Sequence, residues 1–185
     1  MEREGAARGW HGPGGSTGQG AEGTAGETDP SGAWEAAVAL LAMRARSSEE
    51  LRRRLRQRRF SREEIEAAIA RLTAAGYLND AAFALQWALA RQARQGLGPA
   101  RLARELKAKG VGDGEVAAAL ESLRGERDER QVAAEAAAQR MKGLRGLPAE
   151  AARRRLAASL ERRGFSVEVI LDLCRQHFPS VADTD

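Results

Sequence analysis

The residue types that most often carry out chemistry in enzymes are scarce in this chain and form no catalytic set. Two histidines and one cysteine are too few for an ordinary His/Cys zinc site. Cys174 falls on an apolar helical stripe, where a buried structural thiol is expected rather than a nucleophile. The glycine-rich stretch 96–99 lacks the Gly-Lys-Ser/Thr ending and the preceding strand of a phosphate-binding loop. We therefore predict that the protein is not an enzyme and binds no metal or cofactor.

Basic side chains are the abundant functional group. The chain has 30 Lys and Arg against 26 Asp and Glu, a net charge of +4. Residues 1–33 hold five acids and two bases, so residues 34–185 carry a net +7. A basic region of this kind attracts polyanions, either nucleic acid or an acidic protein surface. The partner-binding residues predicted on this basis are Arg52, Arg53, Arg91, Arg94, Arg101, Arg104, Lys107, Lys109, Arg153 and Arg154.

An alternative is that these charges are ordinary solvated helix faces, with many arginines paired to a glutamate on the same helix, as Glu50 could pair with Arg54. The aromatic residues argue against base stacking, because Trp34, Phe83 and Trp87 sit on apolar helical stripes. Contact with DNA phosphate, weak and without sequence preference, stays open and would depend strongly on salt.

The basic residues lie on helices of an internal repeat. Segments 47–72, 98–123 and 152–177 align without gaps, and Leu51, Leu102 and Leu156 coincide. Each segment is typical of two short amphipathic helices, and a further helix precedes each pair. Ser47 and Ser61 each have a glutamate three residues on, which predicts two capping boxes.

The repeat predicts an all-α fold, an elongated and curved array of three tandem three-helix repeats with a disordered N-terminal tail. One unit buries little surface, so neighbouring units must lean on each other. The predicted divisions are a glycine-rich acidic tail at 1–33, repeats at 34–78, 79–126 and 127–178, and a short C-terminal tail at 179–185.

The location is predicted to be cytoplasmic, without membrane contact. No stretch approaches the roughly 18 apolar residues that a membrane span needs. The N-terminus lacks the apolar core of a secretory signal, and a lone thiol fits a reducing compartment.

One ordered stretch, residues 76–111, resembles the central unit of the bacterial RecX family of regulatory proteins. It begins Gly76-Tyr77-Leu78-Asn79-Asp80 and ends Lys109-Gly110-Val111. The resemblance covers about residues 34–178, although the third unit matches less sharply. The structural signature that carries it consists of Leu78, Asp80, Phe83, Trp87, Gly96, Gly98 and Pro99.

The resemblance implies an elongated monomer without a cofactor that binds the RecA recombinase in the groove of the RecA–DNA filament. It implies inhibition of ATP hydrolysis, strand exchange and co-protease activity, and so modulation of recombination and the SOS response. Whether such binding caps filament ends or occupies the groove is left open. Two other interpretations remain: a helical DNA-binding module and a repeat scaffold for another protein.

Overall fold

The computed structural model describes residues 30–179, and every regular element in that range is helical. The predicted all-α array of three-helix repeats is confirmed, but the predicted disorder of residues 1–33 is wrong for residues 30–33, which form the start of the first helix. Residues 1–29 and 180–185, which make up most of the two predicted tails, lie outside the described residues. The helices are α1 Pro30–Met43, α2 Ser48–Gln57, α3 Arg62–Ala74, α4 Asp80–Gln95, α5 Pro99–Ala108, α6 Asp113–Glu126, α7 Glu129–Met141, a 3₁₀ turn Lys142–Leu144, α8 Ala149–Arg163 and α9 Val167–His177.

Helix α1 begins four residues earlier than the predicted start of the first repeat at residue 34. Its first turn contains only small residues, so it shows no large apolar periodicity in the sequence. Nevertheless Ala33 is completely buried, and Gly32 lies against the ring of Phe60. Small residues permit this close approach, which is why the burial of the first turn was not visible as a hydrophobic pattern.

The starts of α2 and α3 differ, although the sequence predicts a capping box at both. Ser61 and Glu64 form the complete reciprocal box at α3. At α2 the Ser47 hydroxyl accepts from the Glu50 N–H, but the Glu50 carboxylate turns to Arg44 and Lys109 instead of the cap. The predicted box at α2 is therefore wrong in its second half, because two cations compete for that carboxylate.

Each group of three helices surrounds a hydrophobic core of its own. The first core joins α1, α2 and α3, the second α4, α5 and α6, and the third α7, α8 and α9. The aligned leucines of the middle helices form the centres of these cores and are fully buried: Leu51, Leu55, Leu102, Leu106, Leu156 and Leu160. The repeated sequence pattern thus encodes three separate cores rather than one.

Successive repeats are connected by the same type of joint. The end of the middle helix of one repeat meets the start of the middle helix of the repeat before it, so α5 meets α2 and α8 meets α5. At the first joint, Ser47 donates its hydroxyl to the Lys109 carbonyl oxygen, 2.5 Å away. At the second, the N–H of Gly98 donates to the Arg163 carbonyl at 2.8 Å and the N–H of Ala100 to the Gly164 carbonyl at 3.1 Å.

Glycine is required where the second joint closes. Gly164 has φ +85°, and a Cβ there would lie 2.6 Å from Cβ and 2.9 Å from Cα of Arg101. The equivalent residue at the first joint, Gly110, has φ +77° and faces Glu49. In the first repeat the same position is Arg59, with φ +66°, where no earlier repeat docks and the side chain is exposed.

Serial joints of this kind produce the elongated array. Among the hydrogen bonds and ion pairs of residues 30–179, those between repeats join the first repeat to the second or the second to the third. Within that range the first and third repeats share no hydrogen bond or ion pair with each other. The long faces of the array therefore stay open to solvent, as in other repeat architectures.

Candidate functional site

A group of six arginines lies where the second and third repeats meet. The end of α4, the start of α5 and the end of α8 border two adjoining concavities of about 750 and 390 Å³, which share Gln95 and Leu97. We call this surface the junction groove. Its basic residues are Arg94, Arg101, Arg104, Arg127, Arg162 and Arg163.

The second joint determines the position of these arginines. Gly96 ends α4 in the left-handed conformation, with φ +57°, and the chain then turns into α5 at Pro99. The guanidinium of Arg163 lies against Gly96, 3.2 Å from where a Cβ would stand. Arg162 and Arg163 reach the groove because the end of α8 is hydrogen-bonded to the start of α5.

Four of the groove's arginines have no carboxylate partner within the described part of the chain: Arg94, Arg104, Arg162 and Arg163. In contrast, Arg101 pairs with Glu105 at 3.3 Å and Arg127 with Glu135. Three acids line the groove against six arginines. Several planar guanidinium groups with unused donors form a surface suited to phosphate or carboxylate oxygens.

Besides Arg101, five more of the ten predicted partner-binding residues are held by partners inside the protein. Arg52 binds both carboxylate oxygens of Glu66. Three others pair with acids at 2.7–3.8 Å: Arg53 with Glu49, Arg91 with Glu105 and Lys107 with Asp113. Arg53 also donates to the Ala108 carbonyl across the first joint. A second interaction with a partner would have to compete with these contacts.

Lys109 is the most enclosed of the five. Its ammonium group pairs with Glu50 at 3.1 Å, across the first joint, and lies 3.8 Å from the centre of the Trp87 ring. Only 17% of its side chain is exposed. Burial acts to raise the pKa of Glu50, but hydrogen bonds from Arg44 and Lys109 outweigh burial and leave that pKa below its ordinary value. The contact links the first two repeats.

The Arg91–Glu105 pair clamps α4 to α5 beside the groove. Arg91 donates twice to the carboxylate, at 2.7 and 2.8 Å. The hydrogen bond from Arg91 lowers the pKa of Glu105, and Arg101 adds to the effect. This ion pair positions the helix that carries Arg104.

The remaining predicted residues divide into two places. Arg94, Arg101 and Arg104 lie together in the junction groove. Arg153 and Arg154 are exposed on α8 but do not line it. Arg162 and Arg163, at the other end of the same helix, were recognised in the sequence as basic residues of the third repeat but were not among the predicted partner-binding residues. The available signal was the alignment of Arg163 with the basic residues Arg58 and Lys109 of the other repeats.

The signature residues of the central repeat have structural positions. Leu78 and Phe83 are buried in the first and second cores, and Trp87 stacks on Phe83. The carboxylate of Asp80 accepts from the Ser48 N–H at 2.8 Å, which links α4 to the start of α2. Gly98 has no room for a side chain, since a Cβ would lie 2.5 Å from the Gly164 carbonyl oxygen. Asp80 and Gly98 therefore belong to the joints, whereas Leu78, Phe83 and Trp87 belong to the cores.

Between residues 30 and 179, His, Cys, Asp and Glu side chains nowhere gather in a group that could hold a metal ion. No helix in the described part of the chain is both long and apolar enough to cross a bilayer.

Comparison with known proteins identifies the family. The family model for the first three-helix domain of RecX matches residues 33–72, and the model for the second matches residues 79–120. The regulatory protein RecX of Amycolatopsis mediterranei is 41% identical over 68% of this chain and 71% of its own length. This chain belongs to the RecX family. The RecX of Corynebacterium efficiens is 39% identical over 76% of this chain and 69% of its own length.

Solved structures agree on the architecture. The RecX of Lactobacillus salivarius superposes with a TM-score of 0.72 at 21% identity, covering 80% of this chain and 96% of that one. A second RecX crystal structure also gives a TM-score of 0.72, at 19% identity and with coverage of 80% and 73%. At these identities the likeness shows the RecX fold.

Proposed function

We propose that this RecX-family chain is a non-catalytic cytoplasmic regulator that binds RecA and the RecA–DNA filament. In this proposal it inhibits the recombinase ATPase, strand exchange and co-protease activity, and so modulates recombination and the SOS response. The observation that carries the proposal is the junction groove, four of whose arginines lack an internal carboxylate partner, on an open array of repeats.

The chemistry of the groove fits a nucleoprotein filament. Such a filament presents DNA phosphate together with acidic protein surface, and guanidinium groups bind both kinds of oxygen. Arg94 and Arg104 come from the second repeat, whereas Arg162 and Arg163 come from the third. One groove therefore offers donors on two rigid units.

An array of repeats favours a repeating partner. Once one repeat is bound, the next is held near an equivalent surface, and its effective concentration there is high. Many weak ionic contacts then give firm attachment without a covalent step. Since these contacts are solvent-exposed, they weaken as salt is raised.

The test is RecA ATP hydrolysis on single-stranded DNA with this protein titrated in below stoichiometry. We expect the parent protein to inhibit, and the variant Arg94→Glu/Arg104→Glu/Arg162→Glu to lose inhibition while keeping its helical circular dichroism and unfolding midpoint. Arg54→Glu/Arg58→Glu/Arg62→Glu is the matched control, because it makes the same charge change in the first repeat.

Three results would contradict the proposal. The parent protein could leave ATP turnover unchanged at low salt. The groove variant could fold and still inhibit as strongly as the parent, which would mean that the junction groove does not contact the recombinase. Finally, tight binding to naked duplex with a sequence preference that survives raised salt would favour a DNA-binding module instead.

A further inference from the structure

A second, apolar groove runs along the first repeat and onto the second. Its first part, about 630 Å³, is lined by Trp34, Val38, Leu41 and Tyr77. It continues past Ala45 into a part of about 530 Å³ that reaches across to α4. The residues of the second repeat that line this continuation are Asn79, Ala82, Phe83, Gln86, Trp87 and Ala90. We call the whole surface the apolar groove.

The apolar groove exposes large side chains that a core would normally cover. Tyr77 is 64% exposed and Val38 is 38% exposed. Trp34 meets Tyr77 edge to face, with ring centroids 6.3 Å apart. A continuous apolar surface of this kind, unlike scattered single residues, indicates a binding site.

Two arginines line the apolar groove, and both are engaged within the protein. Arg44 pairs with Glu50 at 3.2 Å, and Arg46 donates to the Leu40 carbonyl oxygen. Arg71 lies 4.2 Å over the Trp34 ring and has no carboxylate partner in the described range. An occupant with an apolar anchor and nearby acidic groups would match both properties.

The chain itself contains such a segment. Residues 1–29 have five acidic and two basic residues, and Trp10 is their single aromatic residue. This segment is continuous with α1, whose own residues line the groove. Val38 is eight residues into α1, or about 12 Å along the helix from Pro30. A glycine-rich coil of the 20 residues from Trp10 to Pro30 would span roughly 25 Å, which is long enough to return to the groove.

We propose that residues 1–29 act as a built-in ligand, in which Trp10 occupies the apolar groove and neighbouring acids face Arg71. The covalent link makes binding intramolecular and raises its effective concentration. While the segment is bound, another protein would have to compete with it for the apolar groove.

The test makes Trp10 the sole tryptophan of the full chain by replacing the other two, in Trp34→Phe/Trp87→Phe. We expect Trp10 to be severalfold less accessible to acrylamide quenching than it is in the same chain unfolded by guanidinium. Adding Val38→Glu within the groove should abolish this protection. Adding Leu171→Glu is the matched control: that residue is 48% exposed, on α9 in the third repeat, and protection should persist.

The proposal is overturned if Trp10 is as accessible in the folded chain as in the unfolded one, or if Val38→Glu leaves its protection intact. A second measurement keeps the native groove tryptophans. In the otherwise unmodified chain, Trp10→Ala should speed amide hydrogen exchange in residues 34–45 and at Tyr77, but leave the third repeat unchanged. Identical exchange in both proteins would equally overturn it.

Discussion

Replacing Gly164 by alanine tests the joint between the second and third repeats. Gly164 has φ +85° and packs against the backbone of Arg101, so both conformation and space oppose a side chain there. Gly76 provides the matched control: it has φ +74°, but a Cβ there would meet nothing within 4 Å. Comparing the two alanine variants separates the cost of the left-handed conformation from the cost of opening the joint.

The expected magnitudes follow from these two geometries. Alanine in the left-handed region costs about 1–2 kcal/mol, and Gly76→Ala should lose only that amount of unfolding free energy. Gly164→Ala should also weaken the two backbone hydrogen bonds of the joint, to the carbonyls of Arg163 and Gly164. At about 0.5–1.5 kcal/mol for each bond, the total loss rises to about 2–5 kcal/mol.

The assay is urea denaturation of both variants followed by helical circular dichroism. Because each repeat has its own core, the third repeat of Gly164→Ala should also unfold at a lower urea concentration than the other two. Hydrogen exchange would locate that loss in α7, α8 and α9. Equal destabilisation by the two substitutions would refute the idea that a close backbone contact holds the repeats together.

Three further predictions concern single residues. Arg59→Gly should raise the free energy of unfolding by about 1 kcal/mol in urea denaturation, since it removes left-handed strain at an exposed position. A loss of stability would contradict this. The pKa of Glu105 lies below its ordinary value of 4.5 in the folded protein because Arg91 donates to it. Its stabilising contribution is therefore present above pH 4.5 and lost as pH falls through the folded pKa. The free energy of unfolding should thus decrease less on acidification for Glu105→Gln than for the parent protein. Burial raises the pKa of the Cys174 thiol, which is 2% exposed, so a thiol reagent should react with it only after unfolding, and rapid labelling of the folded chain would show that α9 opens.

Several features were predictable from the sequence because they depend on neighbours along the chain. The spacing of Leu51 and Leu55, repeated 51 and 105 residues later, determined which helix faces are buried. The capping box at Ser61 needs only residues three apart. Local periodicity and local hydrogen bonding are sufficient for both, so the three-helix repeats could be derived without coordinates.

The basic surface could not be derived in this way. Lys109 and Arg94 look alike in sequence, yet Lys109 is held by Glu50 and Trp87, and Arg94 faces an open groove. Arg162 and Arg163 come to the groove from about 60 residues away, through backbone hydrogen bonds at the second joint.

The sequence by itself determined the helices, their buried faces and the number of repeats. Only the tertiary structure decided which cations pair with carboxylates in the described part of the chain and which do not. The physical reason is that pairing of a charged side chain depends on what lies within about 4 Å in space, and at a joint between repeats those neighbours come from distant parts of the chain.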